Sequence, residues 1–255
     1  MDSVLDRTWN AGMISLFIPA FNAAGTLQEV IGRIDGKTWQ QIHRVYLIND
    51  GSEDDTWRVM QDISRRNPRC EPVLQEHNQG YGATVKHGLK RCCTDGCSFA
   101  ACLHADGQYP PESILPAVTM MTERKLDLLQ GSRIASGTAL SGGMPLYKFI
   151  AGKLLTALEN RVFKIAMTDY HSGFLVYGRG ALDAVPFERL GGGFDFDLEV
   201  IATARAIGLS IGEVPIPTRY AGERSYLNPV VYGLGVLRVV IRYQLGRYSV
   251  RNRVN

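Results

Sequence analysis

Val45-Tyr46-Leu47-Ile48-Asn49-Asp50-Gly51-Ser52-Glu53-Asp54-Asp55-Thr56 reads as an apolar run, a polar turn and the start of a helix. Val45 to Ile48 is apolar on successive positions, as a strand buried between two layers requires. Gly51 lets the chain turn away from the strand tip. Ser52 is the predicted N-cap of the helix, with Glu53, Asp54 and Asp55 in its first turn, where negative charge complements the helix dipole. A buried strand running through polar residues into a helix is the unit of an open α/β sheet, in which ligands gather at the carboxyl ends of the strands.

The pattern repeats outward. Ile14 to Ala20 (ISLFIPA) is a second apolar run, followed by Thr26 to Ile34 at helical spacing. Strands are predicted at Glu71–Gln75, Phe99–His104 and Asp127–Gln130, and helices at Gly82–Arg91 and Glu112–Arg124. This alternation predicts a parallel sheet with helices on both sides. After Gly131 the pattern changes: residues 135–145 (ASGTALSGGMP) read as a loop or lid, and Leu146 to Phe163 as a helix. A strand at Phe174–Tyr177, a helix at Phe196–Ile207, a strand at Ile211–Pro215 and a helical tail over Pro229–Tyr248 follow. With no repeat and no second core, a single domain is expected over 1–227, with residues 228–255 as a C-terminal helix and tail.

Composition narrows the class. At 45% apolar and 21% charged, the 255 residues are globular rather than disordered. No run reaches the ~18 apolar residues that span a bilayer. Met1 to Asn10 carries Asp2, Asp6 and Arg7 and no apolar run, so no secretory leader is expected. Five cysteines, an odd number, fit a reducing cytoplasm better than a disulfide scaffold. Cys92, Cys93, Cys97 and Cys102 lack a C-x2-C pair, so buried thiols are expected in preference to a zinc site. The net charge of +3 is uneven: the last 28 residues carry Arg238, Arg242, Arg247, Arg251 and Arg253 and no acid. Arg238 and Arg242 lie one helical turn apart beside Leu234, Leu237, Val240, Ile241 and Leu245, which fits either a basic amphipathic helix on an anionic membrane or a final helix packed on the domain.

Polar residues cluster at every strand end: Pro19-Ala20-Phe21-Asn22, Asn49 to Thr56, Asn78-Gln79-Gly80-Tyr81-Gly82-Ala83, His104 to Glu112, and Gly131-Ser132-Arg133. Asp50 can accept hydrogen bonds from a nucleobase or ribose, and the amides around Gly80 and Gly82 can approach a phosphate. The latter is no dinucleotide fingerprint, since it follows the third strand and its third glycine is absent. No P-loop occurs. In an extended segment His104, Asp106 and Gln108 point the same way and offer one nitrogen and two oxygens to a divalent cation.

The series P-A-F-N, N-D-G-S-x-D-x-T, N-x-G-x-G-A, A-D-G-Q-x-P-P-E and G-S-R resembles family 2 glycosyltransferases, and within them the dolichol- and polyprenyl-phosphate sugar transferases. The resemblance covers residues 12–227. It implies a GT-A type, Rossmann-like open mixed sheet flanked by helices, a UDP- or GDP-sugar donor, a divalent metal (Mn²⁺ or Mg²⁺) and inversion at the anomeric carbon. The donor would lie against Pro19, Ala20, Phe21, Asn22, Asp50, Ser52, Asn78, Gly80, Gly82, His104, Ala105 and Asp106. The metal would be held by Asp106 and Gln108, with His104 either a further ligand favouring Mn²⁺ or a hydrogen-bonded strand-end residue. His104 stands where the family's D-x-D carries its first carboxylate, Ala23 where it carries an acid, and Arg224 near its missing lysine.

Arg133, Arg219 and Arg224 are candidate clamps for phosphate oxygens, because a guanidinium forks onto them. Lys148 matches the basic position over the acceptor phosphate. Asp197 aligns best with the family's catalytic aspartate, and Asp169 is the second candidate. A hydroxyl acceptor needs such a base, whereas a phosphate acceptor is already anionic. N-capping of the following helix is the alternative for Asp195 and Asp197. The acceptor implied is a polyprenyl phosphate, with a soluble natural product or sugar as the second reading. A non-catalytic nucleotide-sugar-binding protein is the third, and no nucleic acid partner is expected. The expected location is cytoplasmic, with peripheral contact at the inner face of the cell membrane.

Overall fold

β1 (Ile14–Ala20) and β2 (Ile42–Asp50) lie side by side in parallel at the centre of one sheet. The computed structural model describes residues 13–217, 219 and 228–249. β3 (Cys70–Gln75) continues the sheet beyond β2, while β4 (Phe99–Cys102) pairs with the other side of β1, both in parallel. β5 (Leu128–Ser132), β6 (Leu175–Gly178) and β7 (Ile211–Pro215) complete seven strands in the order β3-β2-β1-β4-β6-β5-β7. β6 runs antiparallel to both of its neighbours, so the sheet is mixed where strand–helix alternation alone predicts parallel pairing. The chain reaches β6 through a long excursion after β5, and this gives it the reversed direction.

Alternation along the strands feeds two apolar layers: Leu16 and Ile18 of β1 join one, and Phe17 between them joins the other. The helices covering the sheet are α1 (Leu27–Gly32), α2 (Gly36–Gln41), α3 (Thr56–Arg66), α4 (Tyr81–Thr94), α5 (Ile114–Arg124), α6 (Leu146–Phe163), α7 (Arg179–Ala184), α8 (Phe196–Ala206) and α9 (Pro229–Gln244). α6 and β7 have the predicted bounds. The short α2 escapes the sequence pattern; it is initiated by Asp35, whose carboxylate accepts from the Lys37 and Thr38 amides at 2.8 and 3.0 Å.

Two expectations about helix starts are corrected. Ser52 does not cap α3, which begins only at Thr56; its hydroxyl accepts from the Asn22 amide at 2.9 Å instead. Asp195 occupies the N-cap position of α8 without a capping bond, because its carboxylate pairs with Arg238 at 2.6 Å. Arg242 likewise pairs with Glu199 at 3.2 Å. Of the two readings of this helix, packing on the domain is the one seen for Arg238 and Arg242, which bind α9 to α8, and Val236, Val239 and Val240 bury α9 in the core. Residues 228–249 are thus packed onto the domain. The cysteines are free thiols: Cys70, Cys92, Cys97 and Cys102 are buried and Cys93 is half-buried.

Candidate active site

At the carboxyl ends of β1–β3 a cleft of about 540 Å³ is lined by Phe21, Asn49, Ser52, Glu53, Gln75 and Asn78, among others. Its walls are laced together. Asn22 donates its amide to Ser52 and accepts from the Glu53 amide at 2.9 Å, and the Thr56 hydroxyl accepts from the Ala23 amide at 2.8 Å. Asp50 is buried and accepts from the Gln79 and Gly80 amides at 2.7 and 3.1 Å. The Gly82 amide donates to Gly192 at 3.0 Å, and a Cβ at Gly82 would stand 2.7 Å from the Gly192 carbonyl carbon. Within the expected phosphate cradle these three amides have partners in the protein, and Gly82 makes room for backbone. Pro19 and Ala20 are strand residues of β1, with Ala20 buried. A larger cleft of about 660 Å³ adjoins it along α4, lined by Gln79, Lys86, His87, Lys90 and Arg91 and sharing Gln75 with the first.

A second group of residues forms at the end of β4. Asp106 Oδ1 accepts from the Gln108 amide at 3.0 Å, and Arg33 braces the same turn by donating to the Gly107 carbonyl at 2.9 Å. His104 turns inward. Its Nε2 lies 3.2 Å from the Tyr81 hydroxyl, and its ring meets Tyr109 edge-on at 4.7 Å. Burial holds the imidazole below the usual histidine range, against the pull of Asp106. A Cβ at Gly173 would stand 2.5 Å from His104 Nε2, so only glycine leaves the ring its place. His104 Nε2 thus faces the Tyr81 hydroxyl, while Ala105 is buried. Among the described residues no group of three His, Cys, Asp or Glu side chains converges on a metal position.

Tyr81 donates its hydroxyl proton to Asp197 Oδ2 at 2.7 Å. Asp197, at the start of α8, is only 8% exposed, and burial raises its pKa to about 7, the Tyr81 hydrogen bond opposing the rise. Neither Asp195 nor Asp197 caps the helix. Asp169 differs. Burial would raise its pKa, yet Arg133 holds it below the usual range, through Nε at 2.9 Å and Nη2 at 3.3 Å. The His171 amide also donates to it at 2.8 Å. Asp169 is therefore the buried counter-ion of Arg133, whose side chain is 13% exposed.

Arg219 lies apart from these groups, pairing with Glu29 of α1 at 3.2 Å, and Lys148 sits in the first turn of α6. Arg224, Arg251 and Arg253 lie outside the described residues. The sequence singled out neither Phe194, stacked on Tyr81 at 5.6 Å, nor Glu159, buried on α6 with Oε2 3.4 Å from His171 Nε2. Glu159 is raised to about 8 by burial, with Asp169 adding to the rise, and burial lowers His171 to about 4. Its being the one acid of α6 is the signal that marks Glu159.

Residues 15–185 match the family model "Glycosyl transferase family 2". The chain belongs to glycosyltransferase family 2. Of its relatives in this family, a UDP-N-acetylglucosamine–dolichyl-phosphate N-acetylglucosaminyltransferase from Methanococcus voltae is 26% identical over 220 residues, covering 82% of this chain and 86% of that protein. A dolichol-phosphate mannosyltransferase from Pyrococcus furiosus is 26% identical over 227 residues, covering 86% of this chain and 60% of that one. The chain spans about half the length of three further relatives. Glucosyl-3-phosphoglycerate synthase from Mycobacterium tuberculosis, solved with Mn²⁺, UDP-glucose and phosphoglyceric acid, superposes with a TM-score of 0.64 at 19% identity, over 95% of this chain and 82% of that one. The fold of this family 2 enzyme is thus of the GT-A type, and it is a glycosyltransferase.

Proposed function

We propose that this glycosyltransferase moves a sugar from a UDP- or GDP-linked donor to a polyprenyl phosphate, with inversion and with a divalent cation. One observation carries the lipid acceptor: α6 and α9 pack together and expose Leu146, Tyr147, Ile150 and Leu154 beside Val230, Val231, Leu234, Ile241 and Leu245. An apolar surface of that extent marks an interaction site. Neither helix carries an exposed acid, since Glu159 is buried, and this favours an anionic lipid surface as the partner. No helix among the described residues is long and apolar enough to cross a membrane, and the contact proposed for this surface is a peripheral one. The relatives named for dolichyl-phosphate substrates support the same acceptor class.

The donor's base and ribose fit the cleft between Phe21, Asn49 and Gln75, with its diphosphate toward Asp106. One carboxylate and one amide oxygen, on Asp106 and Gln108, are hard donors suited to Mg²⁺ or Mn²⁺ when the diphosphate supplies further oxygens. Such a cation offsets charge on the leaving diphosphate. Asp197 orients an acceptor phosphate, which needs no base. For a hydroxyl acceptor its pKa of about 7 is matched to proton removal, and this favours the soluble acceptor as the second reading. Each nucleotide sugar is to be incubated with Mn²⁺ or Mg²⁺, with and without polyprenyl phosphate in anionic vesicles. Transfer to the lipid is the expected result. Donor hydrolysis alone would replace the lipid by a soluble acceptor, and binding without turnover would mean a non-catalytic protein.

A further inference from the structure

Tyr81 opens α4; its hydroxyl donates to Asp197 Oδ2 at 2.7 Å, lies 3.2 Å from His104 Nε2 and also meets the Cys102 thiol. A phenol has one proton. That proton is directed to Asp197, and the His104 ring, which also bonds to the Gly173 backbone, stands beside the same oxygen. The phenol ring is held on its flanks by Phe194, nearly coplanar at 12°, and by the His104 ring at 5.4 Å. The loop carrying Phe194 is tied to α4 by the Gly82–Gly192 backbone bond, and Gly173 with Tyr109 confines His104. The phenol ring and the His104 ring are thereby held in place.

The surroundings of Asp197 give this contact its weight. The titratable groups facing it are Tyr81 from α4, Cys102 from β4, Tyr177 from β6 and Tyr232 from α9, none of them cationic. The Tyr81 hydroxyl is the one hydrogen bond that favours the carboxylate form of Asp197.

We propose that Tyr81 is a positioning residue, whose hydroxyl, held beside His104, locks Asp197 by Oδ2 so that Oδ1 meets the acceptor. The chain Asp197–Tyr81–His104 also joins the acceptor side of the site to the strand end bearing Asp106, two residues beyond His104. This rests on the reading of Asp197 as the acceptor-side carboxylate.

The test is Tyr81→Phe, which keeps the ring stack, together with replacement of Tyr81 by 3-fluorotyrosine, a stronger donor of nearly the same shape. The readout is the titration of ¹³C-labelled Asp197, assigned by its loss in Asp197→Asn, with calorimetric binding of UDP and GDP and turnover measured beside it. In Tyr81→Phe the Asp197 midpoint moves up by about one to two pH units, the effect of one hydrogen bond to a carboxylate. In the fluorotyrosine protein it moves down. Nucleotide affinity stays within about threefold, and turnover of Tyr81→Phe falls at least about tenfold, through kcat rather than the donor KM. A midpoint that moves in neither protein, or moves the same way in both, overturns the proposal. Full turnover in Asp197→Asn would instead overturn the role given to Asp197, whatever Tyr81 does.

Discussion

Replacing Asp197 by Asn changes the pH dependence of stability in a calculable way. An ordinary aspartate loses its proton near 3.8, whereas Asp197 in the folded protein keeps it to about 7. Below pH 4 the carboxyl is protonated in both states and contributes no difference. Between those values unfolding releases a proton, so the native protein loses stability as pH rises, and the loss levels off above pH 7. A rise of about three pH units, at about 1.4 kcal/mol each, costs about 4 kcal/mol by pH 8. Asn at this site fills the same space, can still accept from Tyr81 and does not titrate. The variant should therefore match the parent near pH 4, apart from a constant offset, and exceed it by about 4 kcal/mol at pH 8. Glu159 also titrates high, at about 8, but is present in both chains and cancels in the difference. Urea unfolding followed by circular dichroism at half-unit steps from pH 4 to 8.5 measures this directly. A difference flat to within about 1 kcal/mol across that range would refute the buried, cation-free setting assigned to Asp197.

Three further outcomes are expected. Gly173→Ala brings a methyl 2.5 Å from His104 Nε2, so the ring must move and lose Tyr81; a loss of about 1–3 kcal/mol in urea unfolding should accompany a fall in turnover of at least tenfold, and parental stability and turnover would contradict the packing. Asp169→Asn leaves the Arg133 guanidinium, 13% exposed, without its counter-charge and should cost about 3–5 kcal/mol, whereas a loss under 1 kcal/mol would mean that Arg133 is not held there. Asp50→Asn retains one acceptor for the Gln79 and Gly80 amides and sets an NH₂ against the other. Hydrogen exchange at residues 78–81 should quicken about tenfold or more, and unchanged protection would disconnect Asp50 from that loop.

The reversal of β6 was not legible in the local pattern, because strand direction depends on where the chain re-enters the sheet and not on the residues of the strand. Among the candidate site residues, Asp106 and Gln108 could be picked out by type and by place at a strand's end, and Asp197 through the resemblance to the family. Their partners could not: Arg133 and Asp169 are 36 residues apart, Tyr81 and Asp197 are 116 apart, and no local spacing announces either pair. The same holds for Arg238 and Arg242, whose spacing on one helix suggests a lipid-facing stripe until α8 supplies Asp195 and Glu199.

By itself the sequence determined the layered α/β architecture, through apolar runs that can be buried only between two layers of helix, and the family, through the polar residues that close those runs. Tertiary structure decided which polar groups are spent and which remain for chemistry. Asp50, Asp169 and Arg133 satisfy other parts of the protein, while Asp197 is left buried with one hydroxyl for company. That division depends on hydrogen-bond partners brought from distant segments, and on the water that packing excludes from around them.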